Sequence, residues 1–361
     1  MGFPFKRIGS SPTNAGVDGG VFNKFDNYYS NQDGSLIQKD VFGYIQATGG
    51  STVDSPTHRY HVFTASGSLV VSALSGQPTV PSSMEYVVVA GGGGAGGNGG
   101  GGGGAGGVLH HPGLTAVAQT YTVVVGEGGN SSSDGGDSYF GPTANSPTGP
   151  QPAAGGSLSK GGGSSGFRTA GESGGSGGGA GWGGPPQSRP GGEGIQPTQP
   201  SDSKGGATPY GNDGGYGVDP GPGDNQSSGG GGGAGGAGQN YGPNKAAGGS
   251  GQPFSNFPAP VLAPAVPTGP AWSPIVGPTG LFAGGGGGGM GGSSPNPGNS
   301  SRSPGGGGQG GKGNPDSLPD ADKDAIQFTG SGGGGGGSAT PSSDYSGVGA
   351  DGIVMIRYPI T

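Results

Sequence analysis

The sequence predicts a mainly β protein: a β-sandwich frame carrying a long insertion of polyglycine-type, threefold extended helices and irregular loops. Three observations lead there. Runs of β-branched and aromatic residues bounded by turn residues are concentrated in residues 41–126 and at the chain end. Between them glycine accumulates, so that 361 residues hold 100 Gly and 34 Pro and only 27% of side chains able to build a core, well short of an ordinary enzyme domain. The last run, Ile353-Val354-Met355-Ile356-Arg357-Tyr358, has no apolar neighbour in sequence. It must return to the earlier strands, because an unpaired apolar edge invites aggregation. The organisation expected is an N-terminal arm or anchor (1–40), a β framework with the first glycine tract (41–126), a glycine-rich insertion (127–351) and a closing strand of the framework (352–361).

In the arm, Val21, Phe22, Phe25, Tyr28 and Tyr29 share one face at helical spacing. Val21, Phe22, Phe25 and Tyr29 form a predicted anchor to a larger assembly, the alternative being that this face packs on the chain's own sheet. Strands are predicted at 41–47, 59–64, 68–73, 85–90, 107–111, 120–126 and 353–358. Along 60–64, Tyr60 and Val62 point to one side and His61 and Phe63 to the other.

Glycine tracts occupy 91–107, just ahead of the insertion, and 174–184, 229–238, 284–292, 305–308 and 332–337 within it. They follow neither the collagen register nor a fixed repeat. A solvated coil is one state open to them, since Gly loses the most backbone entropy on ordering. The other is the extended threefold helix, whose amides and carbonyls point outward in three directions, so that neighbouring tracts satisfy one another. Several tracts of similar length returning from one frame favour the bundle. Residues 253–282 hold eight prolines with Phe254, Phe257, Trp272 and Phe282, predicting a rigid exposed loop or packing strap that is neither helix nor strand.

Several chemistries are excluded or unsupported. Zero cysteine removes disulfides and thiolate sites. A net charge of -7 without a run of Lys or Arg argues against nucleic acid. No apolar stretch of spanning or signal-peptide length occurs, so neither membrane insertion nor classical secretion is expected. At this glycine content G-x-G-x-x-G arises by chance about seven or eight times and carries no weight. The one Gly-Lys pair, Gly311-Lys312, continues to Gly313 and makes no P-loop. Asp320, Asp322 and Asp324 have calcium-loop spacing without the turn glycine or the final Glu, so a solvated acidic turn is expected. His58 and His61, like His110 and His111, point to opposite sides of a strand. No catalytic residue, metal site or cofactor is predicted, and the chain is not expected to be an enzyme.

The run Glu85-Tyr86-Val87-Val88-Val89-Ala90 before Gly91 to Gly94, the run Tyr121-Thr122-Val123-Val124-Val125-Gly126 before Gly128-Gly129, and the closing Gly349-Ala350-Asp351-Gly352-Ile353-Val354-Met355-Ile356-Arg357-Tyr358 together resemble the glycine-rich domain of bacteriophage virion proteins of tail-fibre and adhesin type. His61-Val62-Phe63-Thr64 through Val71 is similar to that family's opening hairpin. The resemblance spans roughly 58–361. It implies a β-sandwich carrying polyglycine helices whose loop tips contact host receptors, on the virion surface of a tail or capsid exterior, with other virion proteins and host cell-surface polysaccharide as partners and a homotrimer or symmetric platform as the assembly. Aromatic rings stack on sugar faces, so Trp182, Tyr210, Tyr216, Tyr241 and Trp272 are the candidate receptor-binding residues. The alternative is a capsid or tail surface decoration or connector protein without a receptor, in which the same rings are packing wedges.

Overall fold

The computed structural model describes residues 43–361 apart from 78, 143–156, 160–161, 164, 167–168, 183–187, 199–205, 218–226, 243–245, 268–270, 291–300, 314–315 and 338–344. The predicted arm and its anchor residues Val21, Phe22, Phe25 and Tyr29 lie outside the described residues.

The frame is mainly β and antiparallel. One sheet contains β1 (Gln46–Thr48), β4 (Gly67–Ala73), β7 (Thr120–Val124), β8 (Ser138–Pro142) and β9 (Ser157–Ser159), in that spatial order. The second contains β2 (Ser51–Asp54), β3 (His58–Phe63), β5 (Ser83–Val89), β6 (Val108–Thr115), β10 (Thr208–Tyr210) and β13 (Ile353–Pro359), in the order β10-β6-β5-β13-β3-β2. A short pair, β11 (Gln252–Pro253) and β12 (Leu281–Phe282), stands apart.

The predicted closing strand lies in the middle of the second sheet. Met355 pairs with Val87 on one side and Val62 on the other. This position explains its unbroken apolar run. Val354, Ile356 and Tyr358 enter the core between the sheets with Phe63, Leu69, Tyr86, Tyr121, Val123 and Phe140. Ile353 and Met355 face the other way, with Tyr60, Val62, Val87 and Val89. A strand covered on both faces needs apolar residues at every position, and each fully buried side chain contributes about 1.5–3 kcal/mol. The strand predicted at 120–126 belongs to the opposite sheet and meets β13 through the core. Strands β8, β9 and β10 come from within the predicted insertion, so the frame draws on more of the chain than residues 41–126 and 352–361.

The glycine tracts are laid side by side by backbone hydrogen bonds that repeat every third residue. Within 90–96, the N–H groups of residues 90, 93 and 96 donate to Gly107, Gly104 and Gly101 of the returning tract; those of 91 and 94 donate to Gly136 and Ser133; those of 92 and 95 donate to Ala350 and Gly347. The carbonyls use three further neighbours: Gly162 and Ser165 donate to residues 91 and 94, Gly129 and Ser132 to 92 and 95, and Gly333 and Gly336 to 93 and 96. Six chain segments surround one tract. Residues 91–96 are buried although almost no side chain covers them, a condition that requires every backbone polar group to be paired.

The proline-rich segment packs as a strap, yet the expectation that it lacks helix is overturned. Ala259–Leu262 and Trp272–Val276 are short α-helices, with a 3-10 turn at Ala263–Ala265 between them. Pro260 and Pro264 fall in the first positions of their turns, where a missing N–H costs nothing. Phe254, Phe257, Leu262, Trp272, Val276 and Phe282 cover the second face of the six-stranded sheet.

Candidate functional site

The tract leaving β5 at residue 90 and the one entering β6 at residue 107 join in a turn at 97–100. Asn98 and Gly99 adopt left-handed φ of 50° and 77° there. This turn is the end of the bundle farthest from the sheets along that hairpin, and hydrogen-bond register carries the neighbouring tracts to the same level. Ser176, Gly179 and Trp182 donate to Ala105, Gly102 and Gly99 in turn, at 2.9, 2.7 and 3.3 Å. Trp182 therefore reaches the turn, half-buried, with its indole against Gly99 where a Cβ would stand. Ala180 donates to Gly215 at 3.0 Å, which sets Tyr216 one residue further out.

Tyr241 arrives on a parallel neighbour: Gly238 donates to Asp213 and Tyr241 to Tyr216, both at 2.9 Å. The two tyrosines are thus backbone neighbours, and they are 48% and 43% exposed. Asn240 Oδ1 accepts the Tyr216 N–H at 2.9 Å, fixing the carboxamide beside them. Arg189 pairs with Gly217 through both backbone groups, at 2.9 and 3.1 Å.

Of the five residues predicted to bind a receptor, Trp182, Tyr216 and Tyr241 gather at this distal end. Tyr210 does not join them. It pairs with Val108 at the sheet and meets Phe254 edge-on at 5.7 Å. Trp272 corrects the prediction outright: it is 1% exposed, donates Nε1 to the Phe328 carbonyl at 3.2 Å and packs against Phe282. A proline-rich strap over an apolar sheet face draws its largest ring inward.

A second polar cluster, unforeseen in the sequence, sits at the other end of the six-stranded sheet. Glu85 lies opposite Arg357 in register and accepts Arg357 Nε at 2.8 Å and Nη2 at 2.7 Å. Asn256 Nδ2 donates to both carboxylate oxygens at 3.1 Å, and His110 Nε2 lies 2.9 Å from Oε1. Burial pushes the Glu85 pKa up, but the hydrogen bonds from His110, Asn256 and Arg357 outweigh it and hold the carboxyl below its ordinary value. Glu85 thereby ties three strands to the strap. A shallow cleft of about 200 Å³ beside it is lined by His110, Tyr210, Phe254 and Asn256. The available signal was the charge pair itself, one Glu and one Arg interrupting two apolar strands.

The remaining polar candidates resolve into structural contacts. His61 is buried, with Nδ1 2.7 Å from the Gly49 carbonyl and Nε2 3.1 Å from Tyr358 Oη. The expected acidic turn is a helical one, Asp320–Lys323, with the Asp320 and Asp322 side chains exposed and the carboxylates on separate protein partners. Asp320 pairs with Lys323, Asp322 with Arg302, and Asp324 accepts Tyr345 Oη at 2.8 Å. Lys323 itself is buried on Asp316 at 2.8 Å. Among the described residues no three His, Asp or Glu side chains converge as metal ligands, and no helix is long and apolar enough to cross a membrane.

Comparison with curated proteins gives no match. Residues 64–257 match the family model described as the glycine-rich domain, a span that starts in the hairpin of β3 and β4 and runs through the bundle into the strap. That match covers more than half of the chain, and the chain therefore belongs to the glycine-rich domain family.

Proposed function

We propose that this chain is a structural protein of a bacteriophage virion, a tail-fibre or adhesin component on the exterior of the particle, which binds host-surface glycan through the distal end of its glycine bundle. The observation that carries this reading is the pair Tyr216 and Tyr241, held side by side on hydrogen-bonded tracts and exposed together. Aromatic faces offer stacking area at low conformational cost, and loops on a rigid scaffold suit recognition. The tracts beneath act as threefold extended helices, the conformation whose outward groups fit the three-residue hydrogen-bond repeat. Weak binding at each site is strengthened by several copies on a homotrimer or symmetric platform, next to other virion proteins. The chain acts by binding and carries out no catalytic step.

The decoration or connector reading draws support from Trp272, which serves packing alone. The two readings separate in one experiment. Particles carrying Tyr216→Ala with Tyr241→Ala are expected to assemble normally and to adsorb to host cells several-fold more slowly than the parent. Normal adsorption by fully assembled variant particles would move the chain to the decoration class.

A further inference from the structure

We infer that the distal site takes an acidic sugar, a hexuronate whose carboxylate is received by Arg189 while its ring lies on Tyr216 and Tyr241; this rests on the glycan-binding reading above. Arg189 lies 27 positions before Tyr216 in the sequence, and only the two-way backbone pairing with Gly217 brings it to the tyrosines. Its Nε is buried without a hydrogen-bond partner. Each of the other described arginines meets a carboxylate: Arg59 with Asp54, Arg302 with Asp322, Arg357 with Glu85. Among the described residues no carboxylate is paired with Arg189. A guanidinium whose buried Nε has no hydrogen-bond partner is left under-satisfied, and its planar fork suits a carboxylate.

The neighbouring groups complete the chemistry. Asn240 has its Oδ1 engaged by the Tyr216 N–H at 2.9 Å, so an exposed side chain keeps its Nδ2 donors fixed in direction and available to sugar hydroxyls. Arg189 supplies one positive charge, which matches a monoanionic carboxylate better than a dianionic phosphate. The chain's net charge of -7 repels polyanions in general, so binding of an acidic glycan reports a built site rather than attraction to the surface as a whole.

The test compares trimers of galacturonic or glucuronic acid with their methyl esters, which keep the ring faces and remove the charge, by calorimetric titration of the full chain. The acid is expected to bind about tenfold more tightly than the ester at low salt, with the gap narrowing between about 50 and about 500 mM NaCl. Arg189→Gln should equalise acid and ester, and Arg189→Lys should restore part of the gap. Equal affinity of acid and ester for the unaltered chain overturns the proposal without relying on any variant. A preference that survives Arg189→Gln, or tighter binding of phosphorylated dextran than of either uronate, overturns it too. If neither acid nor ester binds while particle adsorption still requires Tyr216 and Tyr241, the uronate assignment fails and the glycan reading stands. If adsorption is also independent of both tyrosines, both fall.

Discussion

Gly102 offers the sharpest test of how the bundle holds together. Its N–H donates to Gly229 at 3.1 Å and its carbonyl accepts from Gly179 at 2.7 Å. A Cβ placed on it would stand 2.5 Å from the carbonyl carbon of Gly286 and 2.9 Å from that of Gly287, and closer still to the Gly286 oxygen. Ordinary contact begins near 3.4 Å, so one tract must shift by roughly 1 Å. The facing tract is not free to move. Gly286 and Gly289 donate to Gly103 and Gly100, both at 2.9 Å, and a shift stretches those bonds as well. Gly102→Ala should therefore carry an overpacking cost of about 1–3 kcal/mol and the weakening of two or so hydrogen bonds at about 0.5–1.5 kcal/mol each. Lower entropy of the unfolded chain returns about 0.4–1 kcal/mol. The net loss expected is about 1–5 kcal/mol. Gly113→Ala on β6 is the matched control, because a Cβ there meets nothing within 4 Å. Urea unfolding followed by circular dichroism compares the two variants with the parent. Equal midpoints for Gly102→Ala and Gly113→Ala would refute the claim that buried backbone contact between tracts stabilises the protein.

Glu85→Gln should destabilise by about 3–5 kcal/mol, because it leaves the Arg357 guanidinium buried beside a neutral amide. Since the folded-state pKa of Glu85 is depressed from 4.5, its contribution is full above that pH and is lost as pH falls through the folded value, so the variant's stability curve should be flatter below about pH 4.5; an unchanged acid limb counts against the assignment. Trp272→Ala should cost about 3–5 kcal/mol as a large core deletion, while Tyr216→Ala, about half exposed, should stay within about 0.5 kcal/mol of the parent; similar losses for both would contradict their opposite placement. Removing residues 352–361 deletes the central strand between β5 and β3, and the truncated chain should be insoluble; a soluble product with an unchanged far-UV spectrum would argue that β13 is dispensable.

The parts of the fold legible in the sequence are those whose side chains carry the pattern. Ile353 to Ile356 announce a doubly covered strand because every position is apolar, and Tyr60 to Phe63 announce their two faces by alternation. Strands such as Ser138–Pro142 and Thr208–Tyr210 escape notice because they contain glycine or proline and owe their extension to the partner strand. The helices at Ala259–Leu262 and Trp272–Val276 are hidden by prolines that occupy tolerated positions. Trp182, Tyr216 and Tyr241 stood out as aromatics between tracts, yet nothing in a glycine run tells which tract lies beside which. The nearness of Tyr216 to Tyr241, and of Arg189 to both, depends on the register between backbones.

That dependence has a physical consequence for the site. In a side-chain core, moving or enlarging one residue is felt by its packed neighbours, so a binding residue anchored there is constrained by its contacts below. Here the supporting contacts of Tyr216 and Tyr241 are the backbone bonds from Tyr241 to Tyr216 and from Gly238 to Asp213, which any residue with an N–H and a carbonyl can supply. The requirement for glycine is strict one step inward, where Gly215 and Gly229 would each bring a Cβ against a neighbouring carbonyl. It lapses at the exposed tyrosines. The boundary between obligatory glycine and free choice of side chain therefore falls at the tract ends, and the residues just past that boundary are where this architecture admits new side chains without disturbing the bundle that positions them.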